Sequence, residues 1–547
     1  MDKPELTVII TAHAEGLLIH KTLLSVFRAL VHIEAAKIPY EILVHIDNGD
    51  EATAGYLDRY SGDPRFRLVN SDFGDLGLSR NRAISEAQGE YVAILDGDDL
   101  VSENWLIAAW QLVKGHERDN TDEQMIIARP EAILSFFPPE GGDWPVCVQY
   151  NTDSGSREYE AIRMISSNPW PPTLLARREV LLTTDYQQNK RGFGYEDFTF
   201  NADTLAKGIR HLVVPETVLF YRRKTDGVLA QLSSNKAVYH YSELFGTAFM
   251  QTIPTDSESA DAAENGMSQA RRLVKSVYQS VEKIPVIGLA ARGSYDIWWR
   301  LNQGFRRGQQ AAPEWLVNEW RGINEIEFGI FPRSESVQDL EVFSTTNDSV
   351  GWTYRRLIDG VQPAVDYLFI IPGLADDQIA RFILSYIKTL LQQTPGLRIA
   401  VLATEPDNDG RSDLPDEVGF IDFGGLANEN LDYEKEILAD RLIVQLKVKS
   451  VHLIDSVFGY DWVSLHRQFL MDNGIDVFAT LFGQSIGADG RRVSFSDPYL
   501  MAIYPLVRSI FADSPQTVDE AVQACGYDPS RFTLCDVATG RQAPDCD

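Results

Sequence analysis

Short apolar runs alternate with amphipathic stretches from the start of the chain. Leu6 to Ala12 is apolar and β-favouring, and Leu17 to Ala35 carries Leu23, Val26, Phe27 and Leu30 at helical spacing. Glu41 to Ile46, Phe66 to Asn70 and Tyr91 to Leu95 predict three more strands, with a helix leading from Gly74 through Arg82 to about Gly89. This is the β-α-β order of a parallel sheet. Beyond it, Met125 to Ala128 and Ala132 to Phe137 are strand-like, Phe198 to Lys207 is helical and closed by Gly208, and His211 to Arg223 is again extended.

The pattern then changes twice. Asn235 to Phe249, Ser268 to Val281, Tyr295 to Arg307 and Pro313 to Ile326 have helical periodicity, and Trp298, Trp299, Trp315 and Trp320 fall where they bury an apolar face. Residues 333–364 are polar and weakly patterned, as in a linker. From Asp366 the alternation resumes with strands at Tyr367 to Ile371, Leu397 to Ala403, Val418 to Phe423, Val451 to Ile454, Asp476 to Phe482 and Ser509 to Ala512. Helices are expected between them at Asp377 to Leu391, Leu431 to Leu446 and Trp462 to Asn473, giving a Rossmann-like parallel sheet. The expected domains are 1–230, a helical extension 231–332, a linker 333–364 and a second α/β domain 365–547.

The chemistry gathers at strand ends. The fourth strand runs into Asp96, Gly97, Asp98 and Asp99. Carboxylates this close raise each other's pKa, so either the turn is simply solvated or a cation sits there, and hard oxygen ligands suit Mg²⁺ or Mn²⁺. The second strand ends in Asp47, placed either to hold a nucleobase or ribose or to turn the chain. Arg80 and Arg82, expected in the first turn of their helix, face a diphosphate or solvent. Arg223 and Lys224 at the end of the last strand pose the same choice. Trp170, inside Asn168-Pro-Trp-Pro-Pro172, either stacks on an acceptor sugar or anchors a loop.

Composition narrows the classes. A length of 547 residues suggests roughly three or four domains, and 44% apolar residues suffice for ordinary cores. A formal charge of −29 argues against a nucleic-acid or anionic-membrane surface. Cys147, Cys525, Cys535 and Cys546 are too few and too irregular for a disulfide framework or a zinc site, so a reducing compartment fits. The chain enters its first strand without a signal peptide, and no apolar run approaches the ~18 residues of a membrane span; a cytoplasmic protein is expected, peripheral at the inner membrane face at most.

Five segments in order, V-I-I-T-A, E-I-L-V-H-I-D-N-G-D, G-L-S-R-N-R-A, G-E-Y-V-A-I-L-D-G-D-D and G-Y-E-D-F, resemble the GT-A domain of glycosyltransferase family 2 over about residues 5 to 225. The resemblance implies a divalent metal on Asp96 and Asp98, base recognition by Asp47, and a general base at Asp197 with Glu196 in support or as the alternative. It also implies an inverting transfer from a nucleoside-diphosphate sugar to a glycan or lipid-linked glycan acceptor, such as an O-antigen or capsule, alongside other polysaccharide-assembly enzymes. Family members often carry a metal-touching histidine near the place where Lys224 stands, so a third protein ligand is not expected here.

The last domain resembles the N-terminal half of a family 4-like GT-B enzyme through Tyr367-Leu-Phe-Ile-Ile-Pro, Val451-His-Leu-Ile-Asp-Ser and Phe478-Ala-Thr-Leu-Phe. It departs at Gly373-Leu-Ala-Asp-Asp377, where acidic residues would repel phosphate, so a catalytically silent module is expected. Two rivals stand beside the transferase reading. Nucleotidyl transfer uses the same strand-end carboxylates, and a glycan-binding scaffold would need neither motif.

Overall fold

The computed structural model describes residues 3–119, 125–137, 146–224, 232, 235–255, 308–310, 312–332, 340–343, 348–374, 378–406, 413–482, 485–486, 492–493, 496–536 and 541–542. The chain divides into two compact units. The first takes the described residues within Met1–Asn189, Tyr195–Ser233 and Asp261–Asn347; the second takes those within Lys190–Gly194, Ser234–Ala260 and Asp348–Asp547. Among the described residues no helix is long and apolar enough to cross a membrane.

In the first unit the strands are β1 (Leu6–Ala12), β2 (Tyr40–Asp47), β3 (Phe66–Ser71), β4 (Tyr91–Asp96), β5 (Leu100–Val101), β6 (Ile126–Phe136), β7 (Val146–Tyr150), β8 (Leu174–Arg177) and β9 (Arg210–Arg222). The spatial order β7-β6-β8-β4-β1-β2-β3 puts four parallel strands at one side, β4-β1-β2-β3, and an antiparallel region at the other. β9 runs parallel to β6 and closes against β5. β1, β2 and β4 are buried along nearly their whole length because helices cover both faces, so their sequences read as apolar runs rather than alternating ones. Leu18–Ala35 buries Ile19, Leu23, Val26, Leu30 and Ile33 in that core.

Parallel strands deliver their carboxyl ends to one edge, which places Thr11, Asp47 and Asp96 there. The turn after β4 presses against β1. A Cβ on Gly97 would lie 2.7 Å from the carbonyl oxygen of Thr11, so only glycine passes.

Within the first unit, Glu314–Ile323 forms the expected helix and buries Leu316, Trp320 and Ile323 against β6, β7 and β9 residues. Trp315 packs at its margin, which makes these tryptophans core rather than sugar platforms. Trp298, Trp299 and the helices expected at Ser268 to Val281 and Tyr295 to Arg307 lie outside the described residues. Part of 333–364, expected as a linker, is regular structure: Leu340–Phe343 is a strand beside β7, and Asp348–Leu357, in the second unit, is a helix burying Val350, Tyr354 and Leu357.

The helix expected from Asn235 to Phe249 does not form. Val238–Tyr239 pairs with Phe193–Gly194, Ser242 caps the short turn Glu243–Phe245, and only Thr247–Met250 is α-helical. Here tertiary contacts override periodicity, since the Tyr239 and Phe245 rings lie 4.0 and 4.6 Å from the buried Arg441 guanidinium.

The second unit is a parallel sheet in the spatial order Gly419–Asp422, Ile399–Ala403, Tyr367–Ile371, Ser450–Ile454, Asp476–Leu481, Val507–Ala512, Phe532–Asp536, extended by an antiparallel edge at Arg541–Gln542. The chain runs outward from the third position in one direction and then in the other, as in a doubly wound sheet. Asp376 and Asp377, expected to repel phosphate, are outside the described residues. The helix expected at Trp462 to Asn473 begins earlier and breaks at His466, giving Val457–Leu465 and Arg467–Asp472.

His452 lies fully buried in this sheet, between the Tyr367 hydroxyl at 2.8 Å and Thr480 Oγ1 at 2.7 Å. Burial pushes its pKa down to about 3. The unfolded histidine titrates near about 6.5, so the stability contributed by neutral His452 is complete above that pH and is lost as pH falls toward 3. Urea unfolding should therefore weaken between pH 6.5 and 4 with up to about 1.4 kcal/mol per pH unit from this group, and His452→Phe should flatten that slope.

Candidate active site

Arg80 joins the parts of the site. Asp75 caps the helix Leu76–Glu86 by accepting from Leu78 N, so Arg80 and Arg82 stand in the second turn and not, as expected, the first. The Arg80 side chain is buried at 1% exposure. Its Nη2 donates to Asp96 Oδ1 and Oδ2 at 2.8 and 3.0 Å, and its Nη1 donates to Glu196 Oε1 at 2.8 Å. Burial opposes its charge, but Asp96 and then Glu196 outweigh that cost and hold the guanidinium protonated. Arg82 points elsewhere, exposed and paired with Glu86 at 2.6 Å along the same helix.

Around the turn after β4 the three carboxylates differ. Asp96 accepts from Arg80 and, at 2.9 Å, from Thr11 Oγ1. Asp98 sits 2.7 Å from Lys224 Nζ. Asp99 is fully buried; its Oδ1 accepts from Arg222 N at 2.9 Å, while its Oδ2 is buried without a partner. Burial, followed by repulsion from Asp98 and Asp96, raises its pKa well above the carboxylate range. Arg222 braces the turn from β9: its Nε donates to the Asp98 carbonyl at 3.0 Å, and its Nη2 donates to Glu327 Oε2 at 2.5 Å. Glu327 in turn binds Lys21 at 2.5 Å.

Hard carboxylate oxygens at this turn fit a divalent ion, with an unequal division of labour. Both oxygens of Asp96 accept from Arg80, and Asp99 is fully buried, which leaves Asp98 as the better placed ligand. Lys224 stands beside the same carboxylate as a resident positive charge. Arg223 lies over the Phe137 and Tyr221 rings.

Asp47 closes the other side of the edge. Its Oδ1 accepts from Ser71 Oγ at 2.8 Å and Phe73 N at 2.7 Å, and its Oδ2 accepts from Asp75 N at 2.9 Å. Burial raises its pKa, but these bonds and one from Gly74 N outweigh burial and bring it below the usual range. Asp47 thereby shapes the loop that leads to the Arg80 helix.

Glu196 and Asp197 open the helix Glu196–Ala206, and Tyr195 before them adopts a left-handed conformation at φ 61°. The two carboxylates have different surroundings. Glu196 is buried, with one oxygen on Arg80 and the other accepting from Asn189 Nδ2. Asp197 is half-buried and accepts from Asn168 Nδ2 at 2.9 Å. Burial, then the neighbouring Glu196 charge, raises Asp197 to about 6. Of the pair, Asp197 has the reachable carboxylate and the proton affinity of a base working near neutral pH.

Trp170 is not part of the surface. At 1% exposure it stacks on His211 at 4.2 Å and donates from Nε1 to the Thr152 carbonyl, so it anchors the loop, and an acceptor sugar does not reach it. Sequence reasoning missed Thr11, Glu327 and Arg129. Asn168 was visible only as the start of the Pro-rich loop. Thr11 lies within the V-I-I-T-A segment but carries no signal of its own there, and each of the four acts through a partner tens of residues away.

Over residues 7–131, within the first unit, the chain matches the family model described as Glycosyl transferase family 2. Among relatives, the poly(ribitol-phosphate) beta-N-acetylglucosaminyltransferase TarP of Staphylococcus aureus strain N315 is 26% identical over 117 residues, which are 21% of this chain and 35% of that protein. Solved structures similar to the chain include S. aureus TarS 1-349 in complex with UDP-GlcNAc, at 15% identity and TM-score 0.28, covering 60% of this chain and 82% of that one. A mannosyltransferase, PcManGT from Pyrobaculum calidifontis in complex with GDP-Man and Mn²⁺, is 17% identical over 43% of this chain and 61% of its own, with TM-score 0.28.

Arg80→Met would leave Asp96 and Glu196 without their shared cation. A loss of about 3–5 kcal/mol in urea unfolding is expected. Arg80→Lys should recover less than half, because a single ammonium does not span both carboxylates.

Proposed function

We propose that the first unit moves a sugar from a nucleoside-diphosphate sugar to a hydroxyl of a bacterial surface glycan, with inversion at the anomeric carbon. The observation that carries this reading is the Arg80 fork, which joins the carboxylate turn after β4, 16 residues from Arg80, and the Glu196–Asp197 helix start, 116 residues from it, into one constellation. The family match over 7–131 supports glycosyl transfer over nucleotidyl transfer. TarP's N-acetylglucosaminyl donor group and poly(ribitol-phosphate) acceptor support an N-acetylhexosamine donor and a polyol-phosphate wall polymer; an O-antigen or capsule offers the same kind of hydroxyl.

In this reading Asp197 takes the proton from the acceptor hydroxyl as the bond to the sugar forms, which an alcohol at neutral pH does not release unaided. Direct attack by that hydroxyl gives inversion. Glu196 stays bound to Arg80 and Asn189 and supports the base by position. Lys224 presents its ammonium, and Arg223 its guanidinium, to the diphosphate that leaves. Mg²⁺ or Mn²⁺ on Asp98, with Asp96 behind it, supplies further positive charge at that diphosphate when bound. Asp47 keeps the loop after β3 in the shape that receives the nucleotide. For the second unit the reading is a silent GT-B-like half, supported by its parallel sheet order.

Calorimetric titration with UDP, GDP, dTDP and CMP, with and without Mn²⁺, tests the donor site. One diphosphate should bind in a metal-dependent way that Asp98→Ala abolishes, and no binding of any nucleotide would sink the reading. With sugar donor and acceptor, the product should be free nucleoside diphosphate; pyrophosphate would mean nucleotidyl transfer instead. Because Asp197 must be ionised to act, kcat should rise through pH about 6 and fall away below it. Asp197→Asn should lower kcat by about 10²–10⁴-fold while nucleotide binding persists.

A further inference from the structure

We infer that Asn168 is a positioning residue for Asp197, the half-buried outer member of a row, Arg129–Asn201–Asn168, that holds the carboxylate in place and favours its ionised form. The inference rests on Asp197 being the base, and the geometry behind it is independent of any ligand.

The row begins at a buried cation. Arg129, on β6, has 0% exposure, and its contacts are neutral: the Pro171 carbonyl at 2.5 Å, the Thr173 carbonyl at 3.3 Å, Asn201 Oδ1 at 2.5 Å and His211 Nδ1 at 3.1 Å. Asn201 Nδ2 donates to Asn168 Oδ1 at 3.0 Å, and Asn168 Nδ2 donates to Asp197 Oδ2 at 2.9 Å.

The direction of every bond is forced. A guanidinium only donates, so Asn201 turns its oxygen to Arg129 and its NH₂ to Asn168. Asn168 must then accept with its oxygen, which turns its own NH₂ to Asp197. His211 is fixed by the same logic: its Nδ1 accepts from Arg129, so its proton sits on Nε2, facing Thr204 Oγ1 at 2.9 Å. The result is two aligned amide dipoles with the Arg129 charge behind them, all pointing positive toward the carboxylate. An uncompensated buried arginine is costly unless something uses its field. Asp197 is among the groups that raise the Arg129 pKa, which burial otherwise pushes down to about 10.

Other charges face Asp197 too. Glu196 and Asp96 raise its proton affinity and Arg80 lowers it, while the buried Tyr186 hydroxyl lies in the same field. Arg80 divides its bonds between Asp96 and Glu196, so among the described side chains Asn168 is the one that donates directly to Asp197. Its amide acts beside the backbone N–H of Phe198, which also favours the ionised carboxylate, against the effect of burial.

The competing account is that the row merely ties the loop at 168–172 to the helix Glu196–Ala206. Steady-state transfer by the full-length chain, wild type against Asn168→Ala and Asn168→Asp, separates the two when measured from pH 5 to 9. Loss of the donated bond should lower kcat by about 10–100-fold, leave KM for the donor within about twofold, and move the acid limb up by about one pH unit. Asn168→Asp, nearly isosteric, puts a negative charge there and should move the limb further; it decides the matter if the alanine variant unfolds thermally. A limb that stays at the wild-type pH in a folded variant, whether or not kcat falls, overturns the inference. Carbodiimide labelling of Asp197 against pH, read by peptide mass spectrometry, reports its protonation without turnover. Failure of the wild type to transfer any sugar would defeat the transferase reading, while an unshifted labelling profile would defeat this one.

Discussion

The first unit depends on a buried guanidinium shared between two carboxylates. Desolvating one arginine and two acids would be prohibitive for each alone, and it is tolerated because Arg80's planar fork meets Asp96 on one nitrogen and Glu196 on the other. The pair is weak evidence for stability as such. Its consequence is geometric: three elements that arrive from different parts of the chain, the end of β4, the second turn of Leu76–Glu86 and the first turn of Glu196–Ala206, are held to one another by bonds of 2.8 to 3.0 Å. A ligand at this edge meets charges that are already oriented, which is how preorganised sites lower barriers.

The same arrangement separates carboxylates that look alike on paper. Asp96, Asp98 and Asp99 are near neighbours, yet one is bound to an arginine, one faces a lysine and one is fully buried with its proton affinity raised. Glu196 and Asp197 part in the same way, the first bound by Arg80 and Asn189, the second with Asn168 as its one side-chain donor among the described residues and with raised proton affinity. Environment assigns the roles here, since a carboxylate that must accept a proton cannot also be locked to a cation. The brace Arg222–Glu327–Lys21 adds the residues after Glu314–Ile323 to the site's support, although they touch none of its open carboxylates.

Much of this was legible in the sequence where the signal is local. Apolar runs ending in acids located β2, β4 and their carboxyl-end residues Asp47 and Asp96, because period and turn chemistry act within a few residues. The second α/β unit was legible for the same reason. Failures came where distant partners decide. Arg80 reads as a surface residue until Glu196 and Asp96 are known to enclose it. Trp170 reads either as a sugar platform or as a loop anchor until His211 is seen to cover it, and the segment from Asn235 to Phe249 keeps its helical period while pairing with Phe193 and wrapping Arg441 instead. Pattern also cannot see a side-chain row such as Arg129–Asn201–Asn168, whose members come from a strand, a helix and a loop.

These features converge on the tuning of one acid. Burial and the Glu196 charge drive Asp197 toward holding its proton. The Arg80 charge, engaged elsewhere, and the backbone N–H of Phe198 oppose them, and the amide of Asn168 donates to the same carboxylate. A base for a sugar hydroxyl needs that balance, because full ionisation at low affinity leaves it too weak to draw the proton and full protonation leaves it unable to. Asp99 is fully buried with one backbone donor, whereas Asp197 is half-buried and ends a side-chain row, and that difference in surroundings, rather than the count of acidic residues at the edge, is what separates the two carboxylates.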